Sequence, residues 1–295
     1  MTDSTARAPR GARPESREAA ELRAIRSQQP QLQSAVDLHI ELLEVQRRIQ
    51  GRVPLPLLPF TKDSVQGHQN AATPVLRFED IPLDLSDLRL MVRQIAEVLR
   101  RYGALEEMDY QKVHALGRDM QLVNVAAEWF RSAFEKQVAS IGIPPPGSSI
   151  EKDGNDVIDQ VLTLSMRPFL SRCAEVLQQR PELSLWTHPH CALCGGEPDL
   201  SVITPSAERH LICGRCELRW KWEPLACPYC RNSERTKITS FATPDGQYRV
   251  YACDVCRRYL KAYDGRRASR PVMPMVDTVA TLPLDAAAIQ RGYAS

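Results

Sequence analysis

The sequence predicts an α+β protein in which an all-helical N-terminal domain is followed by two small β units in tandem. Apolar residues recur at helical spacing up to about residue 185, and no Val/Ile/Thr-rich alternation occurs before residue 195. Eight of the nine cysteines then lie between residues 191 and 256, among short alternating stretches and turn residues. We divide the chain into a mobile polar arm (1–30), a helical domain (31–185), two cysteine ribbons (186–224 and 225–270) and a C-terminal tail with a short helix (271–295).

Composition and charge are those of a globular protein. Of the 295 residues, 43% are apolar and 25% are charged, and the net charge of +2 indicates no general attraction to nucleic acid or anionic lipid. No apolar run approaches the roughly 18 residues of a membrane span. Residues 1–30 lack the apolar segment of a secretory signal, so we expect a cytoplasmic, reducing compartment. In such a compartment, clustered cysteines more often bind metal than form disulfides.

Apolar stripes predict the helices in chain order. The polar arm can become helical over residues 15–26, and a stripe at every third or fourth position predicts a helix over residues 31–50. Three prolines in residues 53–60 predict an extended connector. In the last helix of the domain, Pro168 predicts a kink or a break. Further helices are predicted over residues 87–102, 104–118, 119–141 (ended by the proline run at 144–147) and 155–179.

Four C-x-x-C pairs form the strongest motif of the chain. Two thiolates three residues apart can bind one ion, because a tight turn points both sulfurs to the same side of the chain. A strand, a turn and a strand lead from the first pair to the second, and again from the third to the fourth. Corresponding pairs of the two halves are 36 and 40 residues apart, so the region is a two-fold internal repeat. The pairs are Cys191/Cys194, Cys213/Cys216, Cys227/Cys230 and Cys253/Cys256.

We expect each repeat to bind one metal ion through its own four cysteines, a sequential assignment. A cross-brace, in which the first and third pairs share an ion, stays open but would leave the hairpins without a role. Disulfides or a redox dithiol are less favoured, because no C-x-x-C lies in the βαβ setting of a thioredoxin-like site. A tetrahedral site of four sulfurs suits zinc and iron about equally. Gly195 completes the C-x-x-C-G turn of rubredoxins, whereas the remaining pairs are followed by Glu217, Arg231 and Arg257.

The charge balance of the cysteine region argues against nucleic-acid binding. Residues 188–267 carry 13 Lys/Arg and 9 Asp/Glu, a net charge of +4. Two divalent ions, each with four thiolates, contribute about −2 apiece and bring the loaded region to about zero. Nucleic-acid binding depends on uncompensated positive charge, so we interpret the basic residues as local neutralisers of the thiolates.

Other conspicuous residues have simple interpretations. Trp220 and Trp222 share one strand face and form either a docking or base-stacking platform or, as we favour, the cover of the interface between the repeats. His188 and His190 flank the first pair and are expected in an exposed loop, because four cysteines already fill a site. Cys173 falls in an apolar helical stripe and is expected to be a buried, inert thiol. The sequence shows no nucleophile–base pair, phosphate-binding glycine loop or H-E-x-x-H motif, so no enzymatic activity is predicted.

The order of the features is itself informative. A helical N-terminal half precedes Trp186, which comes shortly before the C-x-x-C-G pair, and a tryptophan lies between the second and third pairs. The step at residues 259–261, the tail over residues 276–285 and the final Gly-Tyr at 292–293 complete the pattern. From about residue 30 to the end, the chain resembles the formate dehydrogenase accessory protein family, FdhE.

The resemblance implies a cytoplasmic maturation factor. Such a protein binds the catalytic subunit of a molybdenum-dependent formate dehydrogenase and is required for assembly of the active enzyme. The two β units are then rubredoxin-like or zinc-ribbon units, with the eight cysteines as ligands of two metal ions. Each ion is held tetrahedrally by four cysteines, with iron favoured and zinc possible. Two other functions stay open, a zinc-ribbon nucleic-acid-binding protein and an iron-based redox carrier.

Overall fold

The computed structural model describes residues 15–58, 60–140 and 155–294, and its architecture is the predicted α+β one. In the described chain seven α-helices come first, six β-strands follow, and two short helices come last. Two predictions lie outside the described residues, namely the first fourteen residues of the arm and the helix stop at 144–147. None of the described helices is long and apolar enough to cross a membrane.

The helical unit brings the apolar faces of its helices into one core. In the fourth helix, for example, the apolar stripe faces the core: its members recur every three or four residues and are all buried, namely Leu88, Met91, Ile95 and Leu99. The helices predicted from apolar stripes are present, with ends that differ by a few residues. The helices of the unit are α1 (Arg17–Gln28), α2 (Gln33–Gln50), α3 (Lys62–Ala71), α4 (Leu85–Arg101), α5 (Glu107–Leu116), α6 (Leu122–Ser140) and α7 (Asn155–Gln178).

Helix α1 agrees with the expectation, whereas α3 departs from it. The arm can become helical over residues 15–26, and α1 forms there, with its first turn capped by Ser16 and its Leu22 fully buried in a cluster with α2 and the C-terminal tail. The sequence does not predict α3, because only Val65 of its ten residues is buried and no apolar stripe marks it. Helix α3 begins instead at a side-chain cap, Thr61, whose hydroxyl accepts a hydrogen bond from the Ser64 amide.

Helix α7 continues through Pro168 as one helix. A proline has no N–H, so the carbonyl of Leu164 loses its normal donor one turn later. The side-chain amide of Gln46 on α2 donates to that carbonyl at 2.9 Å and is itself buried. A partner from another helix therefore replaces the hydrogen bond that the proline removes, which explains why the helix does not break here.

The six strands form one continuous sheet in the order β3-β2-β1-β6-β5-β4. The first three strands and the last three each form an antiparallel meander. The two meanders join where β1 runs parallel to β6, with Val202 opposite Tyr263. The strands are β1 (Pro198–Ile203), β2 (Arg209–Cys213), β3 (Arg219–Trp222), β4 (Ile238–Ala242), β5 (Tyr248–Cys253) and β6 (Tyr259–Asp264).

The join between the two tandem units is a feature that the sequence does not show. A three-stranded ribbon leaves a row of unpaired main-chain groups at each edge and has little core of its own. Pairing β1 with β6 removes one edge from each unit. The two units predicted from the cysteine repeat are therefore halves of a single sheet.

The C-terminal tail packs across both the sheet and the first helices. It contains α8 (Pro274–Ala280) and α9 (Leu282–Gln290), of which the sequence indicates only the second. The carboxylate of Asp277, which is buried in α8, accepts hydrogen bonds at 2.7 Å from the Tyr248 hydroxyl of β5 and from the guanidinium of Arg270. The apolar face of α8 packs against α1 and α2. The tail thus connects the β region to the start of the described chain.

Candidate metal centres

All four C-x-x-C pairs have the same local backbone. In each pair the carbonyl of the first cysteine accepts a hydrogen bond, 2.9–3.1 Å long, from the amide of the residue after the second cysteine. That following residue is left-handed in every case, with φ between 59° and 71°. This is the tight turn that points two sulfurs the same way. The left-handed residues are Gly195, Glu217, Arg231 and Arg257.

The eight sulfurs form two groups of four. In the first, Cys191 lies 3.5 Å from Cys216, and Cys194 lies 3.6 Å from Cys213, measured between Sγ atoms. The second group has Sγ separations of 3.7 Å and 3.6 Å, and within each group all four sulfurs lie within 4.8 Å of one another. The grouping is that of the sequential assignment, not of the cross-brace. The first group is Cys191, Cys194, Cys213 and Cys216, and the second is Cys227, Cys230, Cys253 and Cys256.

The geometry of each group fits a tetrahedral metal ion. A metal–sulfur bond of about 2.3 Å places the corners of a tetrahedron about 3.8 Å apart. The observed Sγ separations of 3.5–3.7 Å are close to that value and far longer than a disulfide bond of about 2.05 Å. None of the nine cysteines, all of which lie in the described ranges, forms a disulfide. Each group could therefore hold one ion, and the sulfur ligands suit both zinc and iron.

Without an ion, the four thiols of a group compete for protons. Burial raises the pKa of Cys191 and of Cys216 well above the ordinary value, whereas hydrogen bonds from the neighbouring thiols lower the pKa of Cys194 well below it. In the second group, a hydrogen bond from Cys256 lowers the pKa of Cys227 to about 5. Burial raises the pKa of Cys230 to about 11. Metal ligation requires thiolates, so an ion would have to displace the protons of the cysteines whose pKa is raised.

A buried arginine accompanies each group. Arg215, between the two cysteines of the second pair, donates to the carbonyls of Trp129 (2.9 Å) and Phe130 (3.3 Å) on α6. Its guanidinium lies 3.4 Å from the centroid of the Trp129 ring, and its positive charge also lowers the pKa of Cys194. Arg209 is buried near the second group and donates to the carbonyl of Ala226 at 3.2 Å. Arg215 and Arg209 are thus specific candidates for the predicted neutralisation of the thiolates. No sequence motif distinguishes them from the other basic residues.

The first group is built into the helical unit. The amides of Val75 and Leu76 donate to the carbonyls of Ala192 and Leu193 inside the first turn, at 2.8 Å and 3.0 Å. A Cβ at Gly195 would lie 3.0 Å from Phe134 of α6, so this turn alone needs glycine for space as well as for φ. All four cysteines of the first group are buried, whereas two of the second are half-exposed.

The tryptophans of β3 are core residues. Trp220 and Trp222 are 1% and 8% exposed, and their indole N–H groups donate to the carbonyls of His188 and Ala226 at 3.0 Å. They pack in the core that also contains the first cysteine group. Their burial leaves no exposed platform on β3 for stacking bases. The interpretation as a cover between the repeats is also wrong, because β3 is an edge strand and its tryptophans pack around the first cysteine group instead of at the β1–β6 join.

The prediction of an exposed loop around the two histidines is wrong for His190. Its side chain is buried against Trp186 and Phe134, with ring centroids 5.3 Å and 5.4 Å apart. His188 is half-buried, with Nε2 2.7 Å from the carbonyl of Gln69. The sequence does not reveal this, because Phe134 and Gln69, which contact His190 and His188, lie 56 and 119 positions earlier in the chain. Cys173 is buried as expected, and burial raises its pKa to about 12.

Comparisons with known proteins concern the whole chain. A scan against protein-family models finds no match, and neither does a search of curated proteins. Among solved structures, the crystal structure of the FdhE protein from Pseudomonas aeruginosa is similar, with a TM-score of 0.59 and 17% sequence identity. The similarity covers 94% of this chain and 92% of that one. The helical unit, the cysteine sheet and the tail together therefore have the fold of the FdhE protein.

Proposed function

We propose that this protein is a cytoplasmic accessory factor for formate dehydrogenase. In this proposal it binds the catalytic subunit of a molybdenum-dependent enzyme, is required for assembly of the active form, and has no catalytic activity of its own. The observation that carries the proposal is the likeness to the FdhE protein, which extends over nearly the full length of both chains. The cysteine order and the aromatic residues around it support the same function.

The chemistry of the cysteine groups is consistent with a binding protein. Four cysteines complete a tetrahedral site, so an ion held by them has no open position for a substrate. The first group is buried, and its turns are hydrogen-bonded to the helical unit. Such a site contributes to folding instead of catalysis.

We propose further that the eight cysteines ligate two ions, iron being favoured by the rubredoxin-like resemblance and zinc being the alternative. Elemental analysis of anaerobically purified protein is expected to give two metal ions per chain. Iron would also produce thiolate-to-iron absorption in the visible range, whereas a zinc protein would be colourless. A chain without stoichiometric metal would contradict the assignment of ligands.

A deletion strain tests the accessory function. We expect it to lose formate oxidation, and we expect the tagged wild-type protein to restore that activity and to co-purify with the catalytic subunit. Cys194→Ser, which removes a ligand from the first group, should fail to restore activity. Cys173→Ala, which changes a buried cysteine outside both groups, is the matched control and should restore it. Normal formate oxidation in the deletion strain, with no co-purification, would refute the proposal.

A further inference from the structure

The two edges of the sheet differ in how they are covered. At the β3 edge, the Gln178 side chain of α7 makes two hydrogen bonds with the main chain of Arg219, accepting from its amide at 2.8 Å and donating to its carbonyl at 3.2 Å. At the opposite edge, β4 pairs with β5 on one side, and no strand of the described chain pairs with its outer side. An edge strand with free main-chain groups is a template for another strand.

Strand β4 itself contains no proline, bulge or charged side chain that would block such an edge. Its five residues pair with β5 in continuous register, without a bulge and without proline. Thr239, Ser240 and Ala242 are exposed, and Ile238 and Phe241 are only partly buried, so both faces beside the edge are accessible. The open edge is therefore long and regular enough to accept an extended chain.

The charge of the cysteine region is divided unequally between its halves. Residues 188–230 carry four Lys/Arg and five Asp/Glu, whereas residues 231–267 carry nine Lys/Arg and four Asp/Glu. With a divalent ion in each group, the first half has a net charge of about −3 and the second about +3. The net charge of the loaded region is thus near zero only because an acidic half and a basic half cancel. Strand β4 lies in the basic half.

Unpaired basic residues surround the open edge. Arg235 and Lys237 are exposed and directly precede β4, Arg267 lies against Gly246 in the turn that follows it, and the guanidinium of Arg291 lies 4.2 Å from the ring centroid of Phe241. None of these four residues forms an ion pair with any residue that the structure describes.

The nearby carboxylates cancel only part of this charge. Glu234 and Asp245 each accept a hydrogen bond from a neighbouring threonine, Thr236 and Thr243, and Asp254 pairs with Arg257. A threonine hydroxyl leaves the negative charge of its carboxylate in place, so Glu234 and Asp245 offset two of the four positive charges and a net charge of +2 meets an incoming anionic group. The charge pattern therefore favours an acidic partner.

We propose that the open edge of β4 binds an extended, acidic segment of a partner polypeptide, which joins the sheet as a seventh strand. Main-chain hydrogen bonds to β4 supply the binding energy, and the basic residues around it select for Asp and Glu in the segment. The proposal goes beyond the accessory function and does not depend on which protein contributes the segment.

Selection from a peptide library tests this surface. The library displays extended peptides of about ten residues with Asp or Glu at alternate positions and Val, Ile, Thr or Tyr between them, and the target is the full-length, metal-loaded protein. A second library replaces the acidic residues by Lys or Arg. We expect enrichment from the acidic library alone. Binding of the selected synthetic peptides is measured by fluorescence anisotropy, and the site is located by hydrogen exchange of the amides of residues 238–242.

Charge reversal at the edge should weaken binding specifically. The double variant Arg235→Glu/Lys237→Glu is expected to lower affinity at least about tenfold. The matched control is Arg118→Glu/Arg131→Glu, which makes the same change at exposed positions of the helical unit and should leave affinity unchanged. Methylation of alternate main-chain amides of the peptide should also abolish binding, because it removes the donors that a seventh strand needs.

Three results would overturn the proposal. The first is no enrichment from the acidic library above the background of the edge variant. The second is binding of selected peptides without slower exchange in β4. The third is an oligo(dT) strand that binds the wild-type protein more tightly than any selected peptide and loses affinity in the edge variant, since the basic half would then be a nucleic-acid surface.

Discussion

At the scale of single residues, three of the four turns hold a side chain in a conformation that favours glycine. Glu217 and Arg257 have contacts that account for their side chains: Glu217 lies 3.5 Å from Arg167 of α7, and Arg257 donates to the carbonyl of Arg291 in the tail at 2.8 Å. Arg231 is exposed and has no comparable contact within the described chain. Its φ of 60° therefore costs free energy, and no contact of its side chain offsets that cost.

We expect Arg231→Gly to stabilise the metal-loaded protein by roughly 0.5–1 kcal/mol, the relief of left-handed strain less the entropy of the unfolded glycine. Arg231→Ala keeps the strain and should change stability little. Arg231→Val should destabilise, because a β-branched residue is least tolerant of positive φ. Denaturant unfolding at a fixed concentration of free metal measures all three. A glycine variant less stable than the alanine variant would show that the side chain, and not the backbone, determines stability here.

Arg215 is the residue whose removal should affect the first centre most directly. A loaded group of four thiolates carries about −2, and Arg215 is the buried cation beside it. We expect Arg215→Met to weaken metal retention against a competing chelator at least about tenfold, because the buried charge loses its compensation. Arg215→Lys keeps the charge but loses the planar fork that reaches two carbonyls, and should show a smaller loss. Equal retention by wild type and the methionine variant would contradict this role.

At the scale of elements, the contact between α2 and α7 includes a side-chain hydrogen bond that compensates for a proline. The side-chain amide of Gln46 donates a hydrogen bond to the Leu164 carbonyl, because Pro168 has no N–H to donate. Gln46→Met keeps the shape of the side chain and is expected to cost about 1–3 kcal/mol, since it leaves a buried carbonyl without a donor.

A double-mutant cycle with Pro168→Ala identifies the cause. An alanine at position 168 restores a main-chain donor one turn from Leu164, so Gln46→Met should then cost much less. Denaturant unfolding of the wild type, the two single variants and the double variant gives the coupling energy. A cost of Gln46→Met that is the same in both backgrounds would mean that the glutamine matters for packing and not for this carbonyl.

The elements also show which parts of the fold the sequence can predict. The stripe of α4 and the spacing of the cysteine pairs are local patterns, and local patterns determine a helix face or a tight turn directly. Helix α3 lacks a stripe, and the burial of α1 depends on α8, some 250 positions later in the chain. The β1–β6 pairing likewise joins strands about sixty positions apart. Nothing in the local sequence of either partner specifies these contacts.

At the scale of the whole molecule, the two cysteine groups differ in how they are joined to the helical unit. The cysteines of the first group belong to the large core that the helical unit forms. The second group lies outside that core, with Cys230 and Cys256 half-exposed. The tail docks on the second half through Lys261, which pairs with Asp285 at 2.7 Å, and continues to α1 and α2 through α8.

We therefore expect the two ions to leave in order when a chelator is added. The second site, in which two of the four cysteines are half-exposed, should release its ion first, and the loss should leave the helical circular dichroism unchanged. Loss of the first ion should coincide with cooperative unfolding of the helices, because its ligands are part of their core. Alkylation followed by mass spectrometry locates each step.

Cys230 and Cys256 should react with the alkylating reagent in the first step. The first-group cysteines and Cys173 should react together in the second step, when the helices unfold. Variants separate the sites independently: Cys256→Ser should lose one ion and keep its helices, whereas Cys194→Ser should lose helical structure as well. Release of both ions in one step, with all eight ligands reacting together, would show that the continuous sheet couples the two halves more strongly than the separate cores indicate.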